Sequence, residues 1–291
     1  MLIVACAGLI FVSARAFSFE TNGDLDLSFN PPKFTNGIVA ASVMQPDGKL
    51  VIAGGFAKVN GVARRNIARL NADGSLDTSF DPLGGTDGTI FQLIRQSDGK
   101  FIIIGGMTDA AGGGPFGSVN GTARNNIARL NSDGSLDMSF DPGVLISFDG
   151  VISGGVATNP GLVTEAVLQS DGKIVVVGEF IAVANGATTS VSRNGIARFN
   201  SDGTFDASYN PGTGFGATAT TFAPVVAKQS SDKVIVVGAF TDFNGNAVPG
   251  IVRVNTDGSY DASFSSGTGP DDPNNVYGLF VQSDDRIMVF G

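Results

Sequence analysis

Two short motifs alternate along this chain of 291 residues. The first reads Q-P-D-G-K-L-V-I-A-G-G-F at residues 45–56, and later copies begin at Gln96, Gln169, Gln229 and Gln282. The second reads N-I-A-R-L-N-A-D-G-S-L-D-T-S-F-D-P at residues 66–82, and later copies begin at residues 126, 195 and 250. Successive first motifs are 51, 73, 60 and 53 residues apart. A period in this range is typical of propellers, solenoids and arrays, so the repeats constrain the fold more than any other feature.

Each motif carries the signature of a tight β-hairpin. Pro46, Asp47 and Gly48 suit successive positions of a type I turn closed by a glycine bulge, and N-A-D-G-S at residues 71–75 has the same form. The flanking segments are short and rich in Val and Ile, as strands require. In the first repeat we predict strands over residues 39–45, 49–56, 66–71 and 75–80. Four such strands repeated about five times predict an all-β fold, a β-propeller of four-stranded antiparallel blades.

The second turn fixes a cross-strand register. It places Leu70 opposite Leu76 and Arg69 opposite Asp77. The same arithmetic predicts one ion pair in each later repeat, namely Arg129–Asp137, Arg198–Asp206 and Arg253–Asp261. We interpret these pairs as structural, and a ring of ligand-binding arginines is the alternative. The turn also predicts a left-handed backbone at Gly74, where a Val substitution is expected to cost about 1–2 kcal/mol.

These motifs resemble the delta-60 repeat, a β-propeller family of secreted and surface proteins of bacteria. The matching signatures are Q-P-D-G-K-x-x-x-x-G-x-F and A-R-L-N-x-D-G-S-L-D-x-S-F, and they cover nearly all of residues 22–291. The resemblance implies fold and export. Because the family has no established reaction, it implies no catalytic residue. This chain departs from the pattern at Asp232 and Asp285, which replace the turn glycine, and at Glu179 and Ala239 in the glycine doublet.

The N-terminus is typical of a secretory signal. Residues 2–12 form an unbroken apolar run, and S-A-R-A follows at residues 13–16. The run is shorter than the ~20 apolar residues needed to span a bilayer, and the A-x-A sequence suits cleavage before Phe17. We therefore expect a signal peptide at residues 1–16, a propeller over residues 17–291, and a secreted or cell-surface location. The alternatives are that the first residue of the protein is incorrectly assigned or that this apolar run is a first buried strand.

The terminal repeats are incomplete. A half copy of the second motif begins at residue 22, and only the beginning of a first motif occupies residues 282–291. Together these two segments supply parts of one blade, but neither of them contains the third strand of that blade. We expect a fragment of a five- to seven-bladed propeller, with an open ring as the alternative.

Composition excludes several kinds of chemistry. The chain has no His and a single Cys, Cys6, so it has no Ser-His-Asp triad, no imidazole-ligated metal and no intrachain disulfide. Its net charge is −9, which disfavours binding to a phosphate backbone. We expect no catalytic residue, no metal site, no cofactor, no nucleic-acid partner and no membrane span.

Differences between repeats are concentrated in three loops. They are residues 107–124, 143–164 and 181–193, all at the blade ends opposite the Asp-Gly turns. Loops that vary on a rigid scaffold commonly carry binding residues, although loops without any ligand are the plainer interpretation. The candidate contacts are Asp109, Phe116, Phe148, Asp149, Asn185 and Arg193.

Three other kinds of site have partial signatures in the sequence. Oxygen-bearing residues alternate from Asn71 to Asp77, but the Glu that completes an EF-hand loop is absent. The glycines at 112–114 are not followed by G-K-[ST], which excludes a P-loop. Glu165 and Glu179 lie near two strands of one blade and are the leading carboxylates for a glycosidase.

The sequence therefore predicts a secreted, non-catalytic β-propeller that acts as a binding module for a protein or glycan. The alternative is an extracellular carbohydrate-active hydrolase or lyase that uses carboxylates of the propeller channel.

Overall fold

Short antiparallel strands make up nearly all regular structure in the computed structural model of this protein. The structure describes residues 28–35, 37–105, 114, 116–143, 146–147, 152–153, 156–157, 161–184, 190–216 and 224–291. The chain divides into two compact units, Met1–Met138 and Ser139–Gly291. The repeats are numbered one to five by the first-motif copy that each contains.

The first unit holds repeats one and two. The strands of repeat one are β1 Phe34–Thr35, β2 Ile38–Met44, β3 Leu50–Gly55, β4 Lys58–Val59, β5 Val62–Ala63 and β6 Ile67–Leu70. Those of repeat two are β7 Gln92–Arg95, β8 Phe101–Ile104, β9 Ser118–Val119, β10 Thr122–Ala123 and β11 Ile127–Leu130. Each repeat forms a sheet of three antiparallel strands, in the order β2-β3-β6 and β7-β8-β11.

The second unit holds the remaining repeats. In repeat three and the segment before it the strands are β12 Ile146–Ser147, β13 Ile152–Ser153, β14 Val156–Ala157, β15 Leu162–Leu168, β16 Ile174–Glu179, β17 Ala182–Ala184, β18 Ser190–Ser192 and β19 Ile196–Phe199. Repeat four has β20 Val225–Lys228, β21 Val234–Val237, β22 Asp242–Phe243, β23 Asn246–Ala247 and β24 Ile251–Val254. Repeat five follows a single 3-10 turn at Pro273–Asn275 and has β25 Gly278–Val281 and β26 Ile287–Phe290. The main sheets are β15-β16-β19, β20-β21-β24 and β25-β26.

Both predicted hairpin turns are present with the expected register. The amide of Gly48 donates to Gln45 and that of Gly74 donates to Asn71, and both glycines have positive φ. Leu70 bridges Leu76, as the turn arithmetic requires. Asp232 and Asp285 adopt the same left-handed conformation, with φ of 61° and 63°. The turn geometry therefore persists where the glycine does not.

The fourth strand of each complete repeat is much shorter than predicted. After the Leu70–Leu76 bridge no ladder continues to Phe80. The carboxylate of Asp77 accepts hydrogen bonds from the amide and the hydroxyl of Ser79. This local side-chain bonding competes with the ladder and turns the chain, which is why the outermost strand ends there.

Hydrophobic cores form between successive sheets within each unit. In the first unit Val51 and Ile67 of one sheet pack in a cluster with Phe101 and Ile103 of the next. The second unit repeats the arrangement between the sheets of repeats three and four. The central strand β8 is buried along its whole length.

Candidate functional site

Two of the six predicted contact residues lie in the described part of the chain. Phe116 is 1% exposed and belongs to the core cluster of the first unit. Arg193 is 7% exposed. The other four lie outside the described residues, namely Asp109, Phe148, Asp149 and Asn185. Phe116 therefore has a packing role, and a ligand contact at any of the six stays a prediction.

The position of Phe116 also corrects the alignment of repeat two. Its carbonyl accepts the amide of Asn126, as that of Phe56 accepts the amide of Asn66. Phe116 is thus the counterpart of Phe56, whereas counting twelve positions from Gln96 predicts Met107 for that place. The extra residues of repeat two precede Phe116, and residues 116–124 return to the regular pattern.

A second hairpin, missed in the sequence analysis, follows the glycine doublet of the repeats. In repeat one it joins β4 to β5 through Asn60 and Gly61, both with positive φ. Such Asn-Gly pairs favour the two-residue type I′ turn, and V-N-G and F-N-G were the available signals. The side chain of Asn60 accepts the amide of Lys33, so the turn also holds the incoming segment. These hairpins occupy the sheet end opposite the Asp-Gly turns.

Arginines follow this hairpin in repeats one and three. Arg64 is 8% exposed, and its Nη1 lies 3.7 Å from Oδ1 of Asp81. Arg193 donates through Nη1 to the carbonyl of Ser192 at 2.8 Å, and its guanidinium carbon lies 5.3 Å from the ring centre of Phe205. Nε of Arg64 and Nε of Arg193 are buried without a hydrogen-bond partner. Desolvation lowers the pKa of Arg193 from its usual value.

The predicted ion pairs are present, and each carries a third partner. Oδ2 of Asp77 lies 2.7 Å from Nε of Arg69 and 2.7 Å from Nζ of Lys49. Desolvation raises the pKa of Asp77, but hydrogen bonds from Lys49, Ser79 and Arg69 outweigh it and hold the pKa well below its ordinary value. The equivalent triads are Lys100–Arg129–Asp137, Lys173–Arg198–Asp206 and Lys233–Arg253–Asp261.

This triad also joins one repeat to the next. Nη1 of Arg69 donates to the carbonyl of Ser132 in repeat two at 2.8 Å, and Nη1 of Arg198 donates to Thr256 in repeat four. The Arg69 guanidinium lies 5.0 Å from the ring centre of Phe80. The triad therefore contacts the next repeat and an aromatic ring as well as its own hairpin. These contacts favour the structural interpretation of the ion pairs.

The two candidate carboxylates of repeat three lie on adjacent strands. Glu165 is at a bulge in β15, and Glu179 ends β16. Glu165 Oε2 accepts the amide of Val226 in β20 at 2.5 Å. Desolvation outweighs this hydrogen bond and raises the pKa of Glu165 to about 7. Desolvation raises the pKa of Glu179 as well.

Within the described ranges no cluster of three or more Asp, Glu, Cys or His side chains is arranged to hold a metal ion. The oxygens considered for calcium are engaged in turn bonding, since Oδ1 of Asp73 accepts both the amide and the hydroxyl of Ser75. Among the same described residues, no helix has the length and apolar character that a membrane crossing requires.

Comparison with known proteins agrees with this repeat architecture. A family described as "Domain of unknown function (DUF5122) beta-propeller" matches residues 45–80, 112–140, 169–209 and 229–264. Three of these segments begin at the Gln of a first motif, and all four end at the aromatic residue of a second motif. The chain is a β-propeller repeat protein. The match at 112–140 includes Phe116 and agrees with its corrected alignment in this propeller.

Solved structures similar to the propeller were also found. A gluconolactonase from Xanthomonas campestris has 16% sequence identity and a TM-score of 0.44, covering 87% of this chain and 69% of its own. A protein of unknown function from Bacteroides caccae has 11% identity and a TM-score of 0.31, covering 75% of this chain and 64% of its own. Among curated proteins the comparison found no match.

Proposed function

We propose that this propeller is a secreted, non-catalytic binding module of the delta-60 repeat type. Its ligand, a protein or a glycan, contacts the blade ends that carry the connection between the second and third strands of each repeat. The apolar run at residues 2–12 and the A-x-A sequence support export.

One observation carries the proposal: the polar groups repeated from blade to blade are engaged in holding the blades. In repeat three Lys173, Arg198 and Ser208 surround Asp206, and Arg198 reaches the next repeat through Thr256. A side chain so engaged is unsuited to transfer protons or bind a substrate. Ligand contacts are therefore expected where a repeat departs from the common pattern, on or beside the variable connections.

A second candidate function is carbohydrate cleavage through Glu165 and Glu179. The observation that favours it is the raised pKa of Glu165, because a carboxyl group that titrates near neutrality suits a general acid. Yet Glu165 also bonds β20 through the Val226 amide, which gives the residue a structural role between repeats three and four.

The test is retention of the purified full-length chain on arrays of extracellular polysaccharides and proteins. We expect saturable retention on at least one of them, and the same retention for Glu165→Gln and Glu179→Gln, since a binding module does not need their acidity. Failure to retain the protein on any array member would contradict the proposal.

A further inference from the structure

Arg193 occupies a position that three repeats fill with arginine and the fourth with valine. The position is defined by its backbone amide, which donates across the connection in each repeat: from Arg64 to Ala57, from Arg193 to Ile181 and from Val248 to Thr241. Because this bond persists despite different connections, side chains at this position are directly comparable. Repeat two supplies Arg124 there.

The counter-ion of this arginine changes in repeat three. The residue seventeen positions after the arginine is Asp81 in repeat one, Asp141 in repeat two and Asn210 in repeat three. Oδ1 of Asp81 accepts the amide of Leu83 at 3.0 Å, and Oδ1 of Asn210 accepts that of Gly212 at 3.1 Å. The local geometry is therefore the same in repeats one and three, but the negative charge is missing from repeat three.

Arg193 is left as a buried cation without an ion pair among the described residues. Its contacts are its own amide bond, the Nη1 bond to Ser192 and the ring of Phe205. Its buried Nε has no acceptor, as in Arg64, so the missing ion pair is what distinguishes Arg193 from Arg64. A buried charge is unfavourable unless it is paired and hydrogen-bonded. An anion supplied from outside the chain would restore the ion pair that Asp81 gives Arg64.

We propose that Arg193 anchors a binding site for one carboxylate group of a small ligand, of the class of uronic acid sugars. The carboxylate takes the role that Asp81 has beside Arg64. A single carboxylate is favoured over a densely charged polyanion, because a chain of net charge −9 repels polyanions. The inference rests on the proposed binding function and specifies its ligand class.

The test is a calorimetric titration of the full-length protein with glucuronate, with glucose as the neutral control. We expect saturable binding of glucuronate alone. Arg193→Val should abolish it without unfolding the blade, because Val248 fills the same position in repeat four. Asn210→Asp should weaken binding at least tenfold, since it restores an internal carboxylate. Thermal unfolding of each variant checks that the fold is intact.

The matched variant in repeat one supplies a gain of function. Asp81→Asn removes the carboxylate beside Arg64, and we expect one additional equivalent of glucuronate to bind. Binding that is unchanged in both Arg193→Val and Asn210→Asp would overturn the inference. So would preference for an acidic peptide over glucuronate. If glucuronate fails to bind while array retention persists, this inference fails and the proposed binding function stands.

Discussion

The two turn glycines of repeat one share a backbone conformation but differ in their surroundings. Gly48 and Gly74 have φ of 81° and 83°. A Cβ at Gly48 would have its nearest neighbour, the Cβ of Ala72, at 3.9 Å, whereas a Cβ at Gly74 would lie 2.3 Å from the carbonyl oxygen of Asn30. The second-motif glycine is thus required by its turn and by the segment packed against it.

We expect Gly74→Ala to destabilise the protein at least twice as much as Gly48→Ala. The Gly48 variant bears only the left-handed backbone cost of about 1–2 kcal/mol, and the Gly74 variant adds the clash with Asn30. Urea unfolding of both variants measures the difference. Equal losses would show that the segment at Asn30 does not restrict this turn.

The hydroxyl group of Tyr209 lies in the hydrophobic core. The residue is fully buried, and its hydroxyl oxygen has no hydrogen-bond partner. The equivalent position holds Phe80 in repeat one and Phe264 in repeat four. Burial raises the pKa of Tyr209, with a smaller opposing influence from Arg198, so the phenol remains neutral.

We predict that Tyr209→Phe stabilises the protein by about 1 kcal/mol, because it removes an unsatisfied buried hydroxyl. Tyr277→Phe is the control, since Tyr277 is exposed and its hydroxyl already bonds Asn275. Chemical denaturation distinguishes them. A destabilised Tyr209→Phe variant would mean that the hydroxyl has a partner, such as a buried water.

At the scale of the sheet, the Lys–Arg–Asp triad is the main polar connection of each complete repeat. Asp77→Asn leaves the buried Arg69 and its partner Lys49 without their carboxylate, so we expect a loss of about 3–5 kcal/mol. Asp47→Asn is the control, because Asp47 is exposed and accepts only the Lys49 amide in its turn. A loss below 1 kcal/mol for Asp77→Asn would contradict the role of the triad.

The triad also sets the acid limit of stability. The pKa of Asp77 is lowered in the folded protein, so its stabilisation is fully present above the ordinary value of 3.8 and is lost as pH falls below it. In denaturation between pH 5 and pH 2, Asp77→Asn should therefore show a smaller loss of stability than the unmodified protein. An unchanged acid profile would contradict this assignment.

Glu165 predicts the opposite pH dependence between β15 and β20. Its folded pKa is raised to about 7 from 4.5, so the folded state binds more protons between these values and stability falls as pH rises through this window. Glu165→Gln should flatten the stability profile between pH 5 and pH 8. Glu179→Gln is the comparison, because Glu179 is shifted in the same direction but does not bond β20. If stability depends on pH in the same way with and without Glu165, the raised pKa of Glu165 is contradicted.

Local sequence chemistry was sufficient to predict the hairpins. It was not sufficient to predict the contacts and connections between them. Turn residues gave the Arg69–Asp77 pair, since both lie in one hairpin. Lys49 was missed because its approach to Asp77 depends on the order of three strands. Phe116 was misplaced because an insertion separates it from its motif. The variable connections do not repeat, so sequence periodicity cannot predict their structure. Most of the ligand contacts predicted on them lie outside the described residues.

At the scale of the whole molecule, repeated residues and variable residues have different roles. The repeated Asp, Lys, Arg and Gly residues hold the blades and link them within each unit. We propose that ligand recognition occurs where a repeat departs from this pattern, as at Arg193, whose repeat has Asn210 in place of the paired Asp. We propose that the propeller binds its ligand without converting it.

Measuring product release from a retained polysaccharide distinguishes a binding module from an enzyme. The protein is incubated with any polysaccharide that retains it, and soluble reducing ends and bound protein are measured in the same sample. We predict saturable binding with no reducing ends above the background of a protein-free sample. Accumulating reducing ends that disappear in the Glu165→Gln or Glu179→Gln variant would contradict it and establish a carboxylate-dependent enzyme.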